Sequence, residues 1–287
     1  MKVAYLIDKD SLGGGCEYIA RKSAARQAAG DMCCTFYSDC GECTTGKVDS
    51  WGADEIVVNH LKALVQLLGN PFRRPKGRVT FVVHGIHLRK YVWRSIPYWL
   101  RRGLEAWLYH RCDRIVALTE SDRADVLRFY GRGLKVEVEP NTLEGWVPQL
   151  AEGLPPGVTG PFDYICIGRF DYQKGQDRWI RRMENGKGKM ENGGRTLFIG
   201  DGPTRVACVA LSKKLGVADR CVFAGAIPEA ERYLKCASVV VSPSRWEGMP
   251  YLLMKARALG CRILATDCPG NRDVLAGYEK WERLDLR

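Results

Sequence analysis

Gly168-Arg169-Phe170-Asp171-Tyr172-Gln173-Lys174-Gly175 puts two cations on one glycine-bounded loop. A diphosphate carries the complementary charge, and a loop that opens a helix adds backbone amides to the two side chains. The same loop reads equally well as a solvated basic turn. Gly200-Asp201-Gly202-Pro203 is a second turn of this kind. Its glycines allow close approach of a ligand to the backbone, and Pro203 suits a first helical turn. Ser242-Pro243-Ser244-Arg245-Trp246-Glu247-Gly248-Met249-Pro250 says most. Glu247 and Gly248 stand ahead of a helical stretch running through Leu259. A carboxylate there accepts hydrogen bonds from sugar hydroxyls, while the free amides suit phosphate oxygens. The competing reading is that Glu247 only caps the helix, a place acidic residues favour.

The chain around these segments has a regular rhythm. Short apolar runs at Val3–Ile7, Met32–Tyr37, Glu55–Asn59, Arg78–Val83, Arg114–Leu118 and Leu134–Val138 alternate with amphipathic stretches, among them Glu17 to Ala29 and Ser121–Tyr130. A Pro/Gly-rich stretch, 148–161, interrupts the pattern. It resumes at Tyr164–Ile167, Thr196–Ile199, Cys221–Ala224, Val239–Val241 and Ile263–Ala265. Strands separated by helices predict βαβ units and parallel sheets. The expected class is α/β: two Rossmann-like, doubly wound domains, 1–147 and 162–287, joined by a linker at 148–161 and facing across a cleft. Ligands of such sheets sit beyond the carboxyl ends of the strands, where the three segments fall.

Composition narrows the function classes. At 287 residues, 46% hydrophobic and 27% charged, the chain is neither disordered nor too small for two cores. Its net charge of +11 favours anionic partners: phosphorylated metabolites, nucleic acid or an acidic membrane surface. No basic helix-turn-helix or RNA-recognition signature appears, so nucleic acid is not expected. The first apolar run stops at Asp8, too short for a signal-peptide core, and no run approaches the ~18 residues of a membrane-spanning helix. A cytoplasmic chain whose twelve Cys are mostly reduced thiols follows as the expectation. Cys40-Gly-Glu-Cys43 has metal-ligand spacing, yet adjacent Cys33 and Cys34 must face opposite sides of a strand, so no metal is expected. His60, His87 and His110 show no ligand pattern.

Taken in order, six segments resemble glycosyltransferase family 4, the retaining enzymes of the GT-B fold. Gly14-Gly15-Cys16-Glu17 is similar to the family's Gly-Gly-Ala-Glu loop, His84-Gly85 to its His-Gly pair, and Glu139-Pro140-Asn141 to its Pro-Asn ending of the first domain. GRFDYQKG, GDGP and PSRWEGMP resemble its Gly-Arg…Lys-Gly, Gly-Asp-Gly-Pro and Pro-Ser…Glu-Gly…Pro segments. The resemblance implies a hexosyltransferase-like enzyme that needs no metal or other cofactor. It would move a sugar, with retention, from a nucleotide-diphosphate sugar to a lipid-linked or surface-polysaccharide acceptor. By the same analogy Arg169 and Lys174 stabilise the leaving diphosphate, Glu247 holds the donor sugar and His84 touches it near the reacting centre. Donor contacts are implied for Gly14, Gly15, Gly168, Gly200, Gly202, Gly248, Met249 and position 255.

That position departs from the pattern. The family places a second Glu eight residues after the first, on the nucleotide ribose, and here Lys255 stands there. An ammonium donates and cannot accept, so it should turn to a phosphate or an acidic neighbour. The family also continues with further helices after the segment resembling Cys268-Pro-Gly-Asn-Arg-Asp273, so a compact or truncated variant is expected. Both departures support an alternative: a non-catalytic relative that binds nucleotide or glycan, or works as a subunit.

Residues 88–114 hold seven Lys/Arg against two acids and three of the eight Trp. From Pro97 they can form a helix with Leu100, Leu104, Leu108 and Cys112 on one stripe, flanked by Arg101 and Arg102. Arg89, Lys90, Arg94, Trp93, Trp99 and Trp107 complete a composition that suits the headgroup layer of an anionic membrane. Peripheral attachment at the inner face of a membrane is one expectation; an ordinary packed helix with solvated arginines is the other.

Overall fold

The computed structural model describes residues 1–8, 14–86, 88, 96–184 and 194–286. They form two compact units, Met1–Asn141 and Thr142–Arg287. In the first, β1 (Lys2–Ile7), β2 (Met32–Tyr37), β3 (Glu55–Val58), β4 (Arg78–Val83), β5 (Arg114–Ala117) and β6 (Val136–Val138) make one sheet in the order β2-β1-β3-β4-β5-β6. Helices α1 (Gly14–Ala28), α2 (Thr45–Trp51), α3 (Leu61–Leu68), α4 (Ile96–Tyr109) and α5 (Glu120–Tyr130) connect the strands. In the second, β7 (Phe162–Ile167), β8 (Thr196–Ile199), β9 (Cys221–Phe223), β10 (Ala237–Ser242), β11 (Arg262–Ala265) and β12 (Trp281–Arg283) follow the order β12-β11-β10-β7-β8-β9. Here the helices are α6 (Gln176–Glu184), α7 (Arg205–Lys214), α8 (Tyr251–Ala258) and α9 (Pro269–Leu275). Every strand pair is parallel. Both units are therefore α/β of the Rossmann-like, doubly wound kind, as the alternation predicts.

The strands carry continuous apolar runs because both faces of each sheet are covered. Consecutive residues of the second sheet enter different cores. Leu197 and Val240 join Ile165, Leu253 and Ile263 on one face, while Phe198 and Val241 join Phe170, Trp179 and Ile180 on the other. This is the two-residue period of a strand. Trp179 is sealed, and its indole N–H is satisfied by Thr196 Oγ1 at 3.1 Å. In the first unit Thr119 caps α5 by accepting from the Asp122 amide at 3.1 Å, and Thr44 caps α2 from Lys47 at 3.4 Å.

Some boundaries differ from expectation. The Gly14-Gly15 pair opens α1 instead of forming a loop ahead of it. The short helices α2 and α3 and the edge strand β12 are additions to the expected elements. Residues 148–161 lie within the second unit, where the Ala151 amide donates to the Arg232 carbonyl and Leu154 and Val158 pack against the core.

On α4, Tyr98, Leu108 and Tyr109 face inward. Glu105 is also buried there, where it accepts from Arg101 Nε at 2.5 Å and from the Tyr130 hydroxyl. Arg102 donates to the Phe129 carbonyl at 2.6 Å. The outward face keeps Ile96 77% and Leu100 70% exposed, with Trp99, Leu104 and Trp107 beside them. Of the expected leucine stripe, only Leu108 is buried. Arg89, Lys90, Arg94, Trp93 and His87 lie outside the described residues. No helix among the described residues is long and apolar enough to cross a membrane.

Candidate functional site

The second sheet reverses its order between β7 and β10, which pair directly. A crevice opens beyond the carboxyl ends of two such strands, because their connections lead away to opposite sides. Loop 168–175 leaves β7 for α6 and loop 243–250 leaves β10 for α8, so both rise at that point.

Glu247 links the two loops. It is only 7% exposed, and its Oε1 accepts from Lys174 Nζ and from Ser244 Oγ, each at 2.7 Å. Oε2 accepts from Gln173 Nε2 at 3.4 Å. A carboxylate this buried requires such donors. It does not cap α8: Pro250 holds that place and makes no side-chain bond. Burial works against the charge on Lys174, but the Glu247 carboxylate outweighs it and holds the ammonium's pKa above its ordinary value. Lys174, Ser244, Glu247 and Pro250 line a small cavity.

Arg169 occupies the same loop but faces solvent. Asp171 takes its Nε at 2.8 Å and its terminal nitrogen at 2.6 Å, and with its other oxygen accepts the Lys174 amide at 2.9 Å. A second clamp joins the loops. Arg245 forms a fork with Asp177 at 2.9 and 2.7 Å and stacks over the Tyr172 ring at 4.0 Å. Burial pushes the Asp177 pKa up, but the fork outweighs burial and holds it below the usual carboxylate range. Gly175 has φ 67°, and a Cβ there would lie 2.3 Å from the Pro243 carbonyl oxygen. Only glycine lets the two loops meet so closely.

Gly200 and Gly202 lie on the next loop, between β8 and α7. A Cβ on Gly200 would meet the Gly168 oxygen at 2.1 Å, and the Phe170 amide donates to the Asp201 carbonyl at 2.9 Å. Contact between neighbouring loops thus already demands glycine at 200. Gly248 is buried, and Met249 packs against the second core.

Lys255 lies on α8, 4% exposed. Its Nζ donates to Glu231 Oε1 at 2.8 Å and stands 5.8 Å from the centre of the Trp146 ring. The acidic neighbour expected of a lysine in this place is therefore present.

In the first unit, His84 Nε2 and Asn59 Oδ1 are 3.2 Å apart at the carboxyl ends of β4 and β3. The His84 ring stacks on His60 at 6.1 Å and meets Tyr18 edge-on at 5.5 Å, while His60 Nδ1 is 3.7 Å from Asp8. Gly14 and Gly15 are the first residues of α1. Of the residues singled out by sequence, Arg169, Lys174, Glu247 and their flanking glycines meet at one sheet edge, whereas His84, Gly14 and Gly15 belong to the other unit. Cys43 is sealed in a core and Cys40 exposed, with Cys33 and Cys34 between these extremes; burial pushes the Cys43 thiol up to about 12. Among the described residues no group of three or more His, Cys, Asp or Glu is arranged to hold a metal ion.

Ser244, Gln173, the Arg245–Asp177 fork and Glu231 were not singled out by sequence. Ser244 and Arg245 lay inside a recognised segment, and Gln173 in another. Glu231 sits in a 3-10 turn with no motif around it.

Residues 156–281 match the family model described as glycosyl transferases group 1. An uncharacterised glycosyltransferase of Methanocaldococcus jannaschii is 31% identical over 115 residues, 40% of this chain and 28% of that protein. A lipopolysaccharide core biosynthesis mannosyltransferase, LpcC, of Rhizobium leguminosarum is 27% identical over 189 residues, 60% of this chain and 50% of that protein. The chain thus spans half or less of these two relatives. Among solved structures, sucrose-phosphate synthase from Thermosynechococcus elongatus has a TM-score of 0.78 at 17% identity, covering 100% of this chain and 86% of its own. Anabaena HepE, in complex with UDP and glucose, has a TM-score of 0.67 at 17% identity, covering 94% and 82%. Residues 156–281 thus resemble the glycosyl transferases group 1, and the chain's two parallel-sheet units have the GT-B fold.

Proposed function

We propose that this chain is a retaining glycosyltransferase that takes a hexose from a nucleotide-diphosphate sugar and passes it to a glycan or lipid-linked acceptor of a surface polysaccharide. The observation that carries the reading is the Lys174–Glu247 pair at the reversal point of the second sheet. Glu247 presents a fixed, charged acceptor suited to sugar hydroxyls. Lys174 and Arg169 supply positive charge next to it for the departing diphosphate, where preorganised charge lowers the barrier most. The diphosphate competes with Asp171 for Arg169, so binding exchanges one anion for another. The reading requires no metal. Gly168, Gly200, Gly202, Gly248 and Met249 are assigned to the donor's surroundings, and Gly14, Gly15 and His84 to the sugar from the first unit. The nucleotide and glucose bound by HepE and the lipopolysaccharide role in the name of LpcC support this choice of substrates. A donor screen scoring release of nucleoside diphosphate, with and without acceptor and with a chelator present, tests it. Release that survives chelation, with the product's anomeric configuration retained, is expected. Failure of every donor both to react and to bind would overturn the reading.

The acceptor side rests on α4. Its exposed Ile96, Trp99, Leu100, Leu104 and Trp107 repeat at helical spacing on the outward face. Residues 60–114 carry twelve Lys/Arg against two Asp/Glu, so nearly all of the chain's surplus of +11 resides there. Apolar rings beside such a charge favour an anionic lipid surface, which would bring the chain to a lipid-borne acceptor.

A further inference from the structure

The Lys255–Glu231 pair is asymmetric. The lysine side chain is 6% exposed and the glutamate side chain 30%, so the pair hides its ammonium and presents its carboxylate. A buried ammonium is costly unless a carboxylate meets it, so Lys255 fixes where Glu231 sits. The glutamate comes from the 3-10 turn Ala230–Tyr233, on the connection that follows β9. Glu229, which precedes that turn, has φ 50°, the one non-glycine residue with positive φ among those described. Lys255 reaches it from the second turn of α8, about 6 Å along the helix from Tyr251 at 1.5 Å per residue. The half-buried Trp146 ring centre stands 5.8 Å from the ammonium. An outward-facing carboxylate and an aromatic ring therefore lie one helical turn beyond the loop that holds Glu247. A carboxylate with fixed oxygens can accept from both members of a pair of vicinal hydroxyls.

We propose that Glu231, held in place by Lys255, is the carboxylate that binds the ribose hydroxyls of the nucleotide donor. The carboxylate absent from position 255 is thus supplied by another element, and Lys255 is a positioning residue that does not touch the ligand. This rests on the nucleotide-sugar reading above and names the residue that reads its ribose.

The test is calorimetric titration of the full chain with UDP, GDP and ADP, and then with the 2′,3′-dideoxy counterpart of whichever binds best. The native chain should prefer the ribose form by on the order of tenfold, as expected for one lost charge-assisted contact. Glu231→Gln should lower affinity for the ribose form to that of the dideoxy form and leave the latter unchanged. Lys255→Met should do the same, although its side chain meets no hydroxyl. Thermal melting checks both variants, and whichever stays folded decides; if neither does, the double variant Glu231→Gln, Lys255→Met, which leaves no buried charge alone, decides. Equal affinity of the native chain for both forms, or an equal loss of both in Glu231→Gln, overturns the assignment to ribose. Failure of all three diphosphates to bind overturns the nucleotide-sugar reading itself, a result distinct from the others.

Discussion

Lys174 and Glu247, 73 residues apart in sequence, meet at 2.7 Å and so tie the loop after β7 to the loop after β10. The two partners should respond differently to substitution. Glu247→Gln keeps an oxygen for Lys174 and Ser244, and the ammonium it no longer neutralises is 31% exposed, so turnover should fall about 10²-fold at a smaller cost in stability than loss of the lysine. Lys174→Met leaves a buried carboxylate uncompensated and should cost about 3 kcal/mol as well as activity. Urea denaturation beside steady-state kinetics separates the two. Equal destabilisation by both variants would contradict the assigned roles.

Arg169 faces solvent and holds no part of the core. Arg169→Ala should therefore fold normally and lose on the order of 10²-fold in turnover, since its charge acts on the leaving diphosphate. Unchanged turnover in the folded variant would remove it from the mechanism.

The Arg245–Asp177 fork predicts a pH signature. Asp177 has its folded pKa lowered, so its contribution is present above the unfolded value near 4 and is lost as pH falls through the lower folded value. Arg245→Met should be less stable than the native chain at pH 7, and the gap should narrow as pH drops from about 4 toward 2. A gap that stays constant over that range would show that Arg245 acts through packing on Tyr172 alone.

Two glycines of the second unit separate crowding from backbone conformation. Gly200→Ala would drive a Cβ to 2.1 Å from the Gly168 oxygen, whereas Gly216, with φ 67°, has nothing within 4 Å. Gly216→Ala should cost about 1 kcal/mol, the left-handed penalty alone. Gly200→Ala should cost at least twice that, on the order of 2–4 kcal/mol, because backbone must move. Thermal melts of the pair provide the measurement.

For α4, co-sedimentation with vesicles of neutral and anionic lipid is the test. Binding should rise with anionic lipid and fall as salt shortens the Debye length from ~10 Å at 0.1 M to ~3 Å at 1 M. The double substitution Trp99→Ser, Leu100→Ser touches only the outward face and should reduce binding without unfolding the chain. Retention of full binding by that variant would exclude the helix face as the contact.

The alternation of strands and helices was legible because both sheets are covered on both faces, which makes the central strands continuous apolar runs. The short α2, α3 and β12 were less legible, since seven, eight and three residues leave little periodicity to read. Arg169, Lys174 and Glu247 could be picked out because strand ends placed them in recognisable loops. Glu231 could not: its place is set by an ion pair formed 24 residues away, and pairing at that distance leaves no local pattern. The leucine stripe of α4 misled for a related reason. Its inward positions are claimed by Tyr98, Glu105 and Tyr109, so Leu100 and Leu104 are turned outward.

Four cations of the second unit come already matched: Arg169 with Asp171, Lys174 with Glu247, Arg245 with Asp177 and Lys255 with Glu231. A ligand arriving there swaps partners with resident acids and displaces few mobile counter-ions. Residues 60–114 instead hold ten more Lys/Arg than Asp/Glu, although Lys62, Arg74, Arg101 and Arg114 are paired, so attachment of that segment to a charged surface would expel more. The two associations should therefore differ in valence, with a shallow dependence of donor affinity on ionic strength and a steep one for the surface. Added salt would then work as a selective release, lifting the chain from its support while its donor pocket stays filled.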